Sequence, residues 1–332
     1  RGSNVKDADR TVGLMTETTM AVEDAAAVCH RIADNVEKVI VGKRQVIECT
    51  LVAMIARGHV LLEDVPGVGK TMLARSLAAS IGGDFRRIQF TPDLLPTDVT
   101  GVSIYDQRAG EFNFRPGPVF ANIVLADEIN RASPRTQSSL LEAMEERQVT
   151  VDGVTHALPR PFIVIATENP IEYEGVYPLP ESQLDRFLLR FSIGYPERDE
   201  EKQIVRGQLE GHPVETLEPV VTSDEVAAVQ RTVSQCHVSD EVYDYVLDLI
   251  EATRESDQLY LGAGPRGSLA LVRCAQAKAS LDGRDYVGPD DIKSIATEAL
   301  AHRLIPRPEA RVSGVTGTEV VEELLERTPV PS

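Results

Sequence analysis

An α/β fold, with a parallel sheet covered by helices and followed by an all-α region, is predicted by three observations. Short apolar runs alternate with helix-forming stretches up to about Pro196, the pattern of a parallel sheet that binds its ligand at the carboxyl ends of the strands. One of those runs, Val60-Leu61-Leu62, passes through a glycine turn into Lys70-Thr71 and a helix rich in leucine and alanine. Beyond Gly194-Tyr195-Pro196-Glu197 the pattern is helical. The chain is accordingly divided into an N-terminal helical segment (1–38), an α/β domain (39–196) and an α-helical domain with a C-terminal tail (197–332).

Arg1-Gly2-Ser3 is set aside as a cloning remnant, and a helix is expected from about Thr19 to Val39. After the first strand comes Glu63-Asp64-Val65, then Pro66-Gly67-Val68-Gly69-Lys70-Thr71-Met72. In such a turn successive backbone N–H groups face a phosphate chain, a lysine in the place of Lys70 reaches the terminal phosphates, and a hydroxyl in the place of Thr71 joins a Mg²⁺ shell. The pattern G-x-x-x-x-G-K-[ST] has a glycine where this chain has Asp64. A plain strand-turn-helix connection would use the same glycines for positive φ; the apolar strand before and the helix from Met72 to Ala79 after favour the phosphate loop.

Arg86 to Phe90 is read as the next strand, followed between Asp98 and Phe120 by an insert. There Val102-Ser103-Ile104-Tyr105 and Glu111-Phe112-Asn113-Phe114 alternate around a glycine-containing turn, which predicts a hairpin. The strand Asn122 to Ala126 ends in Asp127-Glu128, one carboxylate for a metal and one to activate a water; an Asp at a strand end also commonly caps the next helix. Gln148-Val149-Thr150-Val151, Asp152-Gly153 and Val154-Thr155-His156-Ala157 predict a second hairpin, because Asp-Gly favours the tight turn. Phe162 to Thr167 leads to Asn169, whose amide can orient a water or merely form a turn before Pro170. Arg190 to Ile193 completes the sheet. Helices follow near Arg198–Leu209, Ser223–Gln235, Asp240–Glu255, Arg266–Asp282 and Pro289–Leu304, and a last one over Glu319–Arg327 with Thr318 as its cap.

With 332 residues, 42% hydrophobic and 26% charged, the chain can bury a core in two domains. Its net charge of −18 argues against general nucleic-acid binding, which depends on neutralising phosphates. No transmembrane run or signal peptide is read, so membrane insertion is not expected. Cys29, Cys49, Cys236 and Cys274 suit a reducing cytoplasm, and Cys29-His30 and Cys236-His237 lack zinc spacing. Nothing resembles the guanine-reading Asn-Lys-x-Asp, so ATP with Mg²⁺ is favoured over GTP.

Several phrases together resemble the MoxR family of AAA+ ATPases, in the branch with an insert in the second helix. They are Leu62 to Thr71, Arg115-Pro116-Gly117-Pro118-Val119-Phe120, Asp127-Glu128-Ile129-Asn130-Arg131-Ala132, Asn169-Pro170-Ile171-Glu172 with Gly175, and Leu179 to Phe187. The resemblance runs from about Val39 to the Pro-rich tail and extends to Asp64, a departure that MoxR-like loops share. It implies an AAA+ phosphate-loop domain with a helical lid. Lys70 and Thr71 would hold nucleotide and Mg²⁺, Asp127 and Glu128 would form the second acidic motif, and Asn169 the first sensor. Val41 and Gly42 would line the adenine ring. Arg186 would be an arginine finger acting on a neighbouring subunit's nucleotide, unless it makes a surface ion pair with Asp185 or Glu181. Arg266 would be the second sensor, and the sequence leaves open whether it serves its own or the neighbour's nucleotide. The implied assembly is a homo-oligomer, a hexamer, acting as a chaperone on a protein client such as one with a von Willebrand A domain. Two alternatives stay open: a nucleotide-gated scaffold with slow hydrolysis, and a nucleic-acid or chelatase-like motor.

Overall fold

The computed structural model describes residues 19–108, 110–170 and 175–330. The first 18 residues of the N-terminal segment, and Ile171 and Glu172 of the family phrase, lie outside them. The elements run α1 (Val22–Glu37), α2 (Arg44–Ile55), β1 (Val60–Glu63), α3 (Lys70–Ser80), β2 (Phe85–Gln89), α4 (Pro96–Thr100), β3 (Gly101–Asp106), β4 (Glu111–Pro116), β5 (Ile123–Asp127), α5 (Pro134–Glu146), β6 (Gln148–Val151), β7 (Val154–Ala157), β8 (Ile163–Glu168), α6 (Glu181–Leu184) and β9 (Leu189–Phe191). The helical part follows with α7 (Arg198–Glu210), α8 (Ser223–Val233), α9 (Asp240–Glu255), β10 (Leu259–Leu261), α10 (Pro265–Leu281), α11 (Pro289–Leu300), β11 (Ile305–Pro306), α12 (Pro308–Val312) and α13 (Gly317–Arg327).

Five strands form one parallel sheet in the order β2-β5-β8-β1-β9. Because successive side chains of a strand point to opposite faces, the sheet serves two cores. Val60, Leu62, Ile123, Leu125, Ile163 and Ile165 face α1, α2, α3 and the helical part; Leu61, Val124, Ala126, Val164 and Ala166 face α5 and the residues on either side of the β3-β4 hairpin, Val99 and Val119. The first of these cores continues without interruption into α8, α9, α10, α11 and α13. Helix α1 joins the two parts: Asn35 Nδ2 donates to Ser80 Oγ of α3 at 3.0 Å and to the Glu218 carbonyl at 3.1 Å, while Arg31 pairs with Glu225 at 3.0 Å.

Both hairpins form where the alternating patterns and glycine turns place them. They are joined by the Phe114 and His156 rings, stacked with centroids 4.0 Å apart. Five features differ from the sequence reading. Helix α2 was not expected, because Thr50 to Ile55 is buried on every side and shows no polar face by which a helical period could be recognised. The two-stranded β10-β11 sheet and the short α12 were also unforeseen. The helix read as Pro289–Leu304 ends at Leu300 and tightens into a 3₁₀ turn over Ala301–Arg303. The last helix starts earlier than expected. Thr316, not Thr318, accepts from the Glu319 N–H at 3.2 Å, and Glu319 returns the bond to the Thr316 N–H at 2.8 Å. No helix among the described residues is long and apolar enough to cross a membrane.

Candidate nucleotide-binding site

Parallel pairing brings the loops after β1, β5 and β8 to one edge of the sheet. The register sets Glu63 beside Glu168, while β5, paired to β8 on its other side, ends at Asp127. The turn after β1 holds Gly67 at φ +89° and Gly69 at φ +99°, in the left-handed region that glycine enters without steric penalty. Gly69 is the residue before α3, so Lys70, Thr71 and Met72 form the first turn of that helix, where unpaired N–H groups favour an anion. Ile40 packs 3.8 Å from where a Cβ on Gly69 would stand, and Gly42 lies against the Glu200 side chain at the start of α7. The Val41-Gly42 segment therefore flanks the phosphate loop.

Lys70 Nζ donates to the Asp64 carbonyl at 2.7 Å. Partial burial pushes its pKa down, and Asp64, Asp127 and Glu128 pull it back up, which places three carboxylates within electrostatic reach of the ammonium. Asp64 explains its own departure from the glycine pattern. Its buried carboxylate accepts from the Val65 N–H at 2.8 Å through one oxygen, and from the Ile193 and Gly194 N–H groups at 2.7 and 2.8 Å through the other. The loop is thereby fastened to the segment where the chain leaves β9 for the helical part.

Asp127 accepts from Thr167 Oγ1 at 2.7 Å and pairs with Arg87 at 2.5 Å. Glu128 stands at φ 56°, ψ 52°; its N–H donates to Thr167 Oγ1 at 2.9 Å, and its carboxylate accepts from Gln89 at 2.9 Å and Arg131 at 3.1 Å. Asn169 is buried directly after β8. Next to it burial, with Glu63 alongside, pushes the Glu168 carboxyl up to about 7, and Arg190 works against that shift. Sequence reading missed Arg87, Gln89 and Thr167. Their signal was present: Arg87 and Gln89 are two apart on a strand, hence on one face, and Gln89 stands in register with Asp127.

The residues at this edge fit a nucleotide with Mg²⁺. The loop offers N–H groups and an ammonium to phosphate, while Thr71 and Asp127 offer the oxygen donors that Mg²⁺ takes. Among the described residues no group of three His, Cys, Asp or Glu side chains is arranged to hold a metal by itself.

Arg186 and Arg266 are placed elsewhere. Arg186 follows α6 and precedes β9, where the Leu188 N–H donates to the His59 carbonyl at 2.8 Å just ahead of β1; this is the amino edge of the sheet, opposite the phosphate loop. Its Nη1 donates to the Leu141 carbonyl at 2.8 Å and pairs with Glu145 at 3.1 Å, rather than with Asp185 or Glu181. Arg266, at the start of α10, takes the other oxygen of Glu145 at 2.6 Å and approaches Asp185 at 3.6 Å. One carboxylate thus holds both arginines. Arg131, Arg303 and Arg307 bond to Glu128, Asp185 and the Leu259 carbonyl respectively.

Comparison with known proteins agrees with this architecture. A family model described as "ATPase family associated with various cellular activities (AAA)" matches residues 59–189, and one described as "AAA lid domain" matches residues 251–324. The uncharacterized protein YeaC of Bacillus subtilis is 52% identical over 309 residues, covering 93% of this chain and 97% of its own. Chaperone MoxR1 of Mycobacterium tuberculosis is 41% identical over 321 residues, 93% of this chain and 85% of that protein. A crystal structure from Cytophaga hutchinsonii superposes with a TM-score of 0.88 at 37% identity, covering 94% of this chain and 97% of that one. With both parts of the fold matched and such relatives spanning nearly its whole length, the chain belongs to the MoxR family of AAA+ ATPases.

Proposed function

We propose that the chain hydrolyses ATP at the subunit interfaces of a ring, as a hexamer, and uses the cycle to remodel a protein client, with von Willebrand A domain proteins as the client class that the family resemblance suggests. The division at 1–38, 39–196 and 197–332 belongs to this reading. In it Lys70 and the turn Pro66 to Met72 grip the phosphates, Val41 and Gly42 flank the base, and Asn169 orients a water. Glu128 takes the proton of that water as its oxygen attacks the γ-phosphorus in line and the bond to the β-phosphate oxygen breaks, giving ADP and phosphate. Thr71 and Asp127 would hold Mg²⁺, which would supply charge neutralisation when bound. Gln89 and Arg131 hold the Glu128 carboxylate in place.

The observation that carries the reading is the separation of the two sets of charges. Lys70, Asp127 and Glu128 lie at the carboxyl edge of the sheet, whereas Arg186 and Arg266 share Glu145 at the opposite edge. Arginines so placed serve a second copy's phosphates, and a forked, non-titrating cation delivered in this way is worth about 10³–10⁵ in rate in related phosphoryl transfers.

The test is the ATPase rate of Lys70→Ala and Arg186→Ala variants, separately and mixed. Each is expected to be inactive alone. Mixing is expected to restore turnover, because a Lys70→Ala subunit lends its arginine to the intact loop of an Arg186→Ala neighbour. Co-assembled variants that stay inactive would remove Arg186 from the role.

A further inference from the structure

Beside Arg186 and Arg266 lies a cavity of about 250 Å³ lined by Arg57, Arg147, Arg186, Arg266, Arg273 and Arg303, against the carboxylates Glu145 and Asp185. Six cations against two anions, in a chain whose net charge is −18, is a local inversion of sign. A second hollow of about 430 Å³ adjoins it and shares Arg57, Glu145, Arg147 and Arg273 in its wall. Arg303 is accounted for by Asp185 and the Phe187 carbonyl, and the Glu145 carboxylate is taken by Arg186 and Arg266. Among the described residues neither Arg147 nor Arg273 makes an ion pair.

Two further observations make this more than a crowded surface. Arg57 and Arg147 both have positive φ, 56° and 53°, in turns that end α2 and α5, where glycine is the usual residue. The Arg147 guanidinium donates to the Arg57 carbonyl, so the two strained turns brace each other. Arg147 is pushed below its ordinary pKa by burial and by Arg57, Arg273 and Arg160, all cations. Arg273 lies seven residues after Arg266 on α10, two turns along the same face. Two guanidinium forks without a carboxylate of their own, Arg147 and Arg273, beside two that share one, are the arrangement that receives an anion with several charges.

We propose that this cavity is a polyphosphate receptor in which Arg147 and Arg273, together with Arg186 and Arg266, contact the phosphate chain. The neighbouring subunit's nucleotide is the expected source, and that identification rests on the interfacial reading above. The receptor chemistry itself does not.

The probe is inorganic tripolyphosphate, titrated calorimetrically into full-length Lys70→Ala protein, in which the chain's own phosphate loop has lost its lysine. Saturable binding is expected, weakened at least tenfold by Arg273→Ala and by Arg147→Ala, and unchanged by Arg206→Ala, an exposed residue of α7 that does not line the cavity. Arg147→Lys, with a melting temperature matched to the parent, guards against misfolding and is expected to weaken binding as well, because it loses the fork. No binding by the Lys70→Ala protein, or equal affinity in the Arg147 and Arg273 variants, would overturn the proposal. With Lys70 intact, Arg273→Ala then distinguishes the sources. Turnover lowered at least tenfold, and restored on mixing with Lys70→Ala subunits, identifies the neighbour's nucleotide; unchanged turnover overturns that source in favour of a free oligophosphate. Tripolyphosphate binding that Arg147→Ala and Arg273→Ala weaken, alongside failure of the Lys70/Arg186 mixing test, would sink the interfacial reading and leave the receptor standing.

Discussion

The Asp64 carboxylate joins segments 129 residues apart, the start of the phosphate loop and the end of β9. It accepts from three backbone N–H groups, of which that of Ile193 is buried and those of Val65 and Gly194 are partly buried. Asp64→Asn keeps a single acceptor oxygen and is expected to lose about 1–3 kcal/mol of stability, read from urea unfolding, with raised hydrogen exchange at Ile193 and Gly194. Unaltered exchange at those amides would refute the fastening role. His59 offers a second residue-scale test. Its Nδ1 accepts from the Val164 N–H at 2.9 Å and its Nε2 faces the Met144 carbonyl at 3.1 Å, so the neutral ring is built in, and burial pushes its pKa down to about 4. The unfolded chain binds this proton at the ordinary value of 6.5, so the contribution is complete above pH 6.5 and is lost as pH falls toward 4, on the order of 3 kcal/mol in full. Glu168 has the opposite sign, since its raised pKa costs stability as pH rises through 7. Comparing wild type with His59→Gln between pH 7 and pH 4.5 isolates the histidine: the wild type is expected to lose more stability on acidification.

Among the elements, α13 depends on its first turn. Thr316 and Glu319 exchange two hydrogen bonds there, and Val320, Val321 and Leu324 bury against the core that α9 and α11 share. Thr316→Ala is expected to cost about 1 kcal/mol, whereas Thr318→Ala should change the melting temperature little. Equal effects would mean that the cap is misplaced. The expectation of Thr318 failed because both threonines precede the acidic, apolar run, and only the direction of the backbone at the helix start decides which hydroxyl meets an N–H. The hairpins and β-strands were legible for a simpler reason. A period of two and an Asp-Gly turn are fixed by neighbours in sequence. Helix α2 was illegible because burial on every side erases the periodic contrast that marks a helix.

For the whole molecule, the continuity of one core through both parts is the governing fact. Val226, Val229 and Leu271 of the helical part belong with Ile32, Leu51 and Leu77 of the first helices. A chain truncated after Pro196 should therefore expose that apolar surface and fail to melt cooperatively. A monodisperse, cooperatively unfolding fragment would show that the parts are independent. The same closeness sets the positions of the arginines, since the helical part delivers Arg266 to Glu145 across 121 residues.

By itself the sequence determined the phosphate loop, the acidic strand end, the five parallel strands, the two hairpins and the helical second half, because each rests on spacing and turn chemistry among near neighbours. The tertiary structure alone decided that Asp64 fastens the loop to the end of β9, that Arg186 and Arg266 meet at Glu145 away from Lys70, and that Arg147 and Arg273 join them around one cavity. Those relations are contacts between groups far apart in the chain, and they exist only once hydrophobic burial has packed the helical part against the sheet.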